Sequence, residues 1–192
     1  MMTTTNQSKI QDFFTPKDKK EEKEEKKEEK KDKIEKKEKD KKEYIYTDGS
    51  CSNNGSKQAK AGIGIYFGEN DPRNISKRIE GKQTNNTAEL SAIIETYHII
   101  KKEKEKDKTK EFIIATDSEY AIKCATTYGE KCDKKKWSEE IPNKELVKTL
   151  FQLHKDNQTH VSIMHIRAHT NKTDIHSLGN ANADRLANES LI

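Results

Sequence analysis

No stretch of this 192-residue chain approaches the roughly 18 consecutive apolar residues of a membrane span. Its N-terminus lacks the apolar core of a secretory signal. Cysteine is sparse: Cys51, Cys124 and Cys132 stand at irregular spacing, which gives neither a disulfide framework nor a zinc pattern. That usage fits a reducing intracellular compartment. No internal repeat is visible. Hydrophobic residues are also scarce, at 30% against 38% charged, which is too polar for a uniform globule. The charge must therefore be concentrated somewhere.

It is concentrated near the start. Residues 17–43 are Lys and Asp/Glu throughout except for Ile34. Such a block cannot bury a face. It is a solvated coil or a helix held by pairs such as Glu22–Lys26 and Glu29–Lys33, and either way a linker. A localisation signal or RNA-binding tail fits less well, because the interleaved acids cancel the field that phosphates would feel. The net charge of +4 permits nucleic-acid binding without arguing for it. Residues 44–192 carry organised apolar runs and suffice for one core.

Three strands are expected in succession: a short one in YIYTDGS, ending in Asp-Gly turn chemistry, then 61–67 and 73–81. A helix over 85–102 follows, with Leu90, Ile93, Ile94, Tyr97 and Ile100 at helical spacing. Next come a buried strand at 110–117, a short helix at 118–129 closing near Gly129, an amphipathic helix at 143–155, a strand at 160–169 and a last helix at 180–192. Short early links suggest an antiparallel meander, and the later helical crossovers suggest parallel additions. The fold class is α/β, a mixed five-stranded sheet covered by helices.

Four acidic residues stand out by placement. Asp48 ends the first strand and Asp117 the fourth; if these strands are parallel neighbours, the two carboxylates meet at one edge. Glu89 lies in the first turns of the long helix, and Asp184 is expected near the start of the last one. Singly, each has an ordinary explanation, such as a turn for Asp-Gly or helix capping for Asp117 before Ser118. Together they would form a strongly negative pocket suited to Mg²⁺, which takes oxygen ligands, with Mn²⁺ an alternative. Two such ions can activate a water and stabilise the leaving oxygen of a phosphodiester.

The segments YTDGSCSNNG (46–55), QTNNTAEL (83–90), ATDSEY (115–120), HIRAHT (165–170) and GNANADRLA (179–187) resemble, in order and spacing, those of type 1 ribonuclease H. The resemblance implies strand order 3-2-1-4-5 and two-metal hydrolysis of the RNA strand of RNA–DNA hybrids, leaving 3′-hydroxyl and 5′-phosphate ends. It implies metal ligation by Asp48, Glu89, Asp117 and Asp184, with Gly49 grouped at the same site. His169 matches the family's mobile histidine. Its distance from Asp184 suggests a long loop that also contains His176. The resemblance further implies RNA-strand contacts from Cys51, Ser52, Asn54, Asn85 and Asn86. On the DNA side it implies a phosphate pocket of Lys82, Thr84 and Asn143, with Lys82 where Arg is common. Trp137, after Lys134–Lys136, resembles the family's basic protrusion, although the segment is short and has one Trp; a core anchor is the other reading. A catalytically dead hybrid-binding module, or a retroelement or integrase-like nuclease of the same fold, would share much of this pattern. A monomer is expected.

Ahead of the linker, Gln7, Ile10, Phe13 and Phe14 form a Gln-x-x-Ile-x-x-Phe-Phe pattern within the tail 1–16. Ile10, Phe13 and Phe14 would share one side of a tight helical turn. The segment resembles the box by which replication and repair proteins bind the sliding clamp (PCNA). The linker could span about 90 Å extended or about 40 Å as a helix, which suits a tether. This places the expected location at the nucleus or another site of DNA replication.

Overall fold

The computed structural model describes residues 42–168 and 173–192. The clamp-like box at 7–14, the charged block at 17–41 and His169 lie outside the described residues. In chain order the elements are β1 (Lys42–Ser52), β2 (Lys60–Tyr66), β3 (Ile75–Arg78), α1 (Asn85–Lys106), β4 (Glu111–Thr116), α2 (Glu119–Ala125), α3 (Thr127–Lys134), α4 (Lys144–Asn157), β5 (Val161–His165) and α5 (Ile175–Glu189). The sheet order is β3-β2-β1-β4-β5. The first three strands are antiparallel neighbours, whereas β1–β4 and β4–β5 are parallel. No described helix is long and apolar enough to cross a membrane.

Side chains alternate across a strand, so β1 addresses two helices. Gly49 lies under α1: a Cβ there would meet Ala88 at 2.6 Å, and the Glu89 nitrogen nearer still. Gly64, paired with Asp48 on β2, lies under α5, where a Cβ would overlap the Ala183 and Ala187 backbone. The α1 side holds the main core, in which Ile45, Ile65, Leu90, Ile93, Phe112 and Leu150 are fully buried. Each such side chain contributes about 1.5–3 kcal/mol of transfer free energy. On the α5 side a smaller cluster gathers Tyr46, Ala115, Ile166 and Ala183.

Several elements differ from the sequence expectations. β1 opens at Lys42 rather than Tyr44 and runs on to Ser52, so Asp48-Gly49 is paired within the strand and does not end it in a turn. Glu43, at the edge of the charged block, is ion-paired to Arg73 at 2.5 Å and Lys110 at 2.8 Å. β3 keeps only four residues. The expected helix over 118–129 is two helices, broken at Thr126 (φ −121°, ψ −109°). Gly129 does not end a helix; it is buried inside α3, because a Cβ would press on Phe151.

The last helix starts at Ile175, five residues before the expected Asn180. The Asp174 side chain caps it, accepting from the His176 and Ser177 amides at 3.1 Å each. Gly179 is a helical residue pressed against the Tyr46 ring, with no room for a Cβ. Asp184 therefore sits in the interior of α5 rather than near its start, and His176 belongs to the helix's first turn rather than to a long loop.

Candidate active site

The C-terminal half of β1 and the C-terminal end of β4 bring Asp48 and Asp117 to one edge of the sheet, as their parallel pairing requires. Thr84 starts α1 beside them: its hydroxyl accepts from the Thr87 amide at 3.1 Å, and the Thr87 side chain answers on the Thr84 amide at 3.1 Å. That reciprocal cap fixes the first turn of α1 and points Glu89 under Gly49. Asp48, Glu89 and Asp117 each offer a carboxylate oxygen, all within 4.8 Å of one another. Asp184 joins from α5, within hydrogen-bond reach of Asp48.

Asp48 and Glu89 are 7% and 6% exposed. Burial, and then the neighbouring carboxylates Asp117 and Asp184, push the Asp48 carboxyl far above its ordinary range. Burial, followed by Asp48 and Asp117, pushes Glu89 up to about 9. The Gly49 backbone N–H donates to both carboxylates and opposes these shifts only in part. Among these four groups nothing cationic compensates the charge. An all-oxygen donor set of this spacing, unfavourable when ionised alone, fits a hard divalent cation such as Mg²⁺.

Two asparagines that the sequence reading missed complete the surroundings. Asn180 is buried and donates from Nδ2 to Asp117 Oδ2 at 3.0 Å. Asn188 donates from Nδ2 to Asp184 Oδ1 at 3.0 Å. With Asp184 they form an i, i+4, i+8 series on one face of α5, a spacing readable in NANADRLAN.

The expected RNA-side residues occupy two adjoining loops. Cys51 and Ser52 end β1, and Asn54 is exposed in the turn that follows. Asn85 and Asn86 are exposed at the start of α1. Gln83 ties the loops together: its Oε1 accepts from Ala61, the β2 partner of Cys51, at 2.7 Å, and its Nε2 donates to Ile79 and Gly81 carbonyls.

On the other side of α1, Lys82, Asn143 and Lys144 line a surface cleft of about 490 Å³ with Thr87 and Ser91. Asn143 adopts a left-handed backbone (φ 57°) and donates to the Tyr120 hydroxyl at 3.2 Å. Thr84 spends its hydroxyl on the α1 cap. Trp137 is half-buried: its ring lies 6.3 Å from that of Phe151, and its Nε1 donates to Asp133 at 3.2 Å. Lys134 and Lys135, ahead of it, pair with Glu130 and Glu139 at 2.7 Å each.

The sequence profile of the RNase H family matches residues 40–192. The chain is 37% identical over 151 residues to a ribonuclease H of Schizosaccharomyces pombe, covering 76% of this chain and 52% of that protein. It is 34% identical over 149 residues to human ribonuclease H1, covering 76% of this chain and 48% of the relative. The chain thus spans about half the length of these curated relatives. A native foamy virus protease–reverse transcriptase superposes with a TM-score of 0.57 at 25% identity, over 77% of this chain and 20% of that one. The LC11 RNase H1 from compost gives 0.56 at 24% identity, over 79% and 96%, and shows the same fold. The order of the sheet, the convergence of Asp48, Glu89 and Asp117, and the span of the profile agree, and the chain belongs to the RNase H family.

Proposed function

We propose that this chain is a ribonuclease H that hydrolyses the RNA strand of RNA–DNA hybrids. The observation that carries the reading is the convergence of three carboxylates from β1, α1 and β4, with Asp184 of α5 against Asp48, in a chain of this family. Asp48, Glu89, Asp117 and Asp184 would hold two Mg²⁺ ions, with Gly49 at the same site. Bound there, the metal would supply Lewis-acid stabilisation of the charge that develops on the phosphodiester. Water adds to phosphorus, the bond to O3′ breaks, and the products are a 3′-hydroxyl and a 5′-phosphate.

The chain's own residues bind, orient and move protons. Cys51, Ser52, Asn54, Asn85 and Asn86 offer hydroxyl, thiol and amide groups to the 2′-hydroxyls that mark the RNA strand. The cleft of Lys82 and Asn143, with Thr84 at the adjoining helix cap, receives a phosphate of the DNA strand, where Lys82 acts as a point charge rather than a planar fork. Trp137 offers its exposed side to DNA sugars. His169 would shuttle a proton, to the departing O3′ as it becomes the 3′-hydroxyl, or help the product leave.

Upstream, Gln7, Ile10, Phe13 and Phe14 would dock on a sliding clamp (PCNA). The charged linker would let a monomeric catalytic domain reach hybrid threaded through that clamp, at a nuclear or other replication site. Interleaved acids on the linker favour a spacer over a second nucleic-acid grip.

The deciding experiment is cleavage of a labelled RNA–DNA hybrid with Mg²⁺, beside duplex DNA and duplex RNA, by wild type and Asp117→Asn. Cutting of the hybrid's RNA strand alone, lost in the variant, is the expected result. A wild type that binds hybrid and never cuts it, with Mg²⁺ or Mn²⁺, makes the chain a binding module and overturns the reading.

A further inference from the structure

Strand β1 and helix α5 touch at three matched steps. Tyr46 packs on Gly179, Asp48 faces Asp184, and Ser50 hydrogen-bonds Asn188. Residues 46, 48 and 50 share one face of the strand. From Tyr46 to Ser50 the strand advances about 13 Å, and from Gly179 to Asn188 the helix advances about 13.5 Å. The two elements therefore stay in step along this stretch.

The middle step is the unfavourable one, because it sets two carboxylates against each other. Asp184 is only half-buried on the helix surface and would keep its rotamer freedom without an anchor. The anchor is a short relay. Ser50 Oγ donates to Asn188 Oδ1 at 2.5 Å, and Asn188 Nδ2 donates to Asp184 Oδ1 at 3.0 Å. Because the serine hydroxyl takes the carbonyl end of the Asn188 amide, the amide's NH₂ end faces Asp184. A carboxylate oxygen held from outside by a neutral donor keeps its other oxygen for Asp48's side of the site and gains no competing positive charge.

We propose that Ser50 and Asn188 are positioning residues that set the Asp184 carboxylate against Asp48 and thereby tune the site's affinity for Mg²⁺. This rests on the ribonuclease reading above and names a part of that site. Asn180 touches Asp117 in the same way one turn before Asp184, but it is buried, so its removal would disturb packing as well. Asn188 is exposed. Its truncation leaves the core intact and costs no helix propensity, since alanine is the better helix former.

The test is calorimetric titration of Mg²⁺ into the full chain, with the melting temperature and the Mg²⁺ dependence of hybrid cleavage measured in parallel. Asn188→Ala should weaken Mg²⁺ binding about tenfold, the lower end for loss of a partner behind a metal ligand. Its melting temperature and KM for hybrid should stay at wild-type values. Ser50→Ala should weaken binding less, and add nothing in the Asn188→Ala background, because the two act in one relay. Asn188→Gln, which keeps the amide, should recover part of the loss. A wild type that binds Mg²⁺ and an Asn188→Ala variant that binds it equally well overturn the inference while leaving the ribonuclease reading standing. A wild type that neither binds Mg²⁺ nor cuts hybrid overturns both.

Discussion

The backbone nitrogen of Glu89 occupies the space where a side chain on Gly49 would begin. Helix α1 can bring its carboxylate against the C-terminal half of β1 only because the strand offers bare backbone at that step, and the Gly49 N–H then donates to the carboxylates on either side. Gly49→Ala should force the two elements apart. The expected cost is about 1–3 kcal/mol, the usual range for overpacking, with a weaker response to Mg²⁺ because Glu89 withdraws. Urea unfolding with and without Mg²⁺ measures both; an unchanged midpoint would mean that α1 yields without effect.

The raised carboxyls at the site make a pH signature. In metal-free protein Glu89 and Asp48 still bind protons at pH values where the unfolded chain has lost them. Stability associated with those protons is intact below the unfolded value of about 4.5 and is lost as pH rises toward the folded value near 9. The slope reaches up to about 1.4 kcal/mol per pH unit for one such group. His154, held below its ordinary range by burial, gives the opposite slope, but only as pH rises through values up to its ordinary 6.5. Thermal melts from pH 7 to 9 should therefore show falling stability without metal. Mg²⁺, which competes with the same protons, should stabilise more at pH 9 than at pH 7. A metal-free melting temperature that rises across this range would contradict the site's electrostatics.

Arg73 should matter although it lies far from the carboxylates in role. It pairs with Glu43 of β1 and Asp71 of the turn before β3, approaches Glu103 of α1 at 3.6 Å, and stacks over the Phe67 ring at 4.3 Å. Arg73→Ala leaves three acids without their shared cation. The expected loss is about 2 kcal/mol, within the range for hydrogen bonds to charged groups, with kcat on hybrid unchanged. Chemical denaturation beside a cleavage assay checks both halves.

The proposed DNA contact of Trp137 and its packing give a joint prediction: Trp137→Ala should raise KM for hybrid and also lower the melting temperature. The ring packs toward Phe151 and its indole N–H is held by Asp133. Trp137→Phe keeps much of the packing and should recover more stability than affinity; an unchanged KM in Trp137→Ala would assign the ring to the core alone.

The sheet order and the pairing of β1 with β4 were legible because alternating apolar runs, turn residues and the family's motifs all pointed the same way. The convergence of Asp48, Glu89 and Asp117 was likewise legible. Two glycines misled. Gly129 read as the place where a helix stops and Gly179 as the end of the loop before the last helix, yet both lie inside helices, pressed on Phe151 and Tyr46. A sequence does not distinguish a glycine needed for its backbone freedom from one needed for its lack of volume, because the partner that fills the space is remote in the chain. The same remoteness hid Asn180 and Asn188, whose meaning comes from Asp117 and Ser50 across the sheet. Asp174, read as loop, shows itself as a cap only once α5 is seen to begin beside it.

The central strand β1 carries Asp48 early in the described fold, and α5, which follows β5 in the chain, carries Asp184. During translation the chain emerges from its N-terminal side. A ribosome-bound fragment that has released β1 through β5 still lacks Asp184, along with the helix that covers Tyr46 and Ala115. The four carboxylates can therefore come together only after α5 has emerged and docked, later than every strand of the sheet it covers.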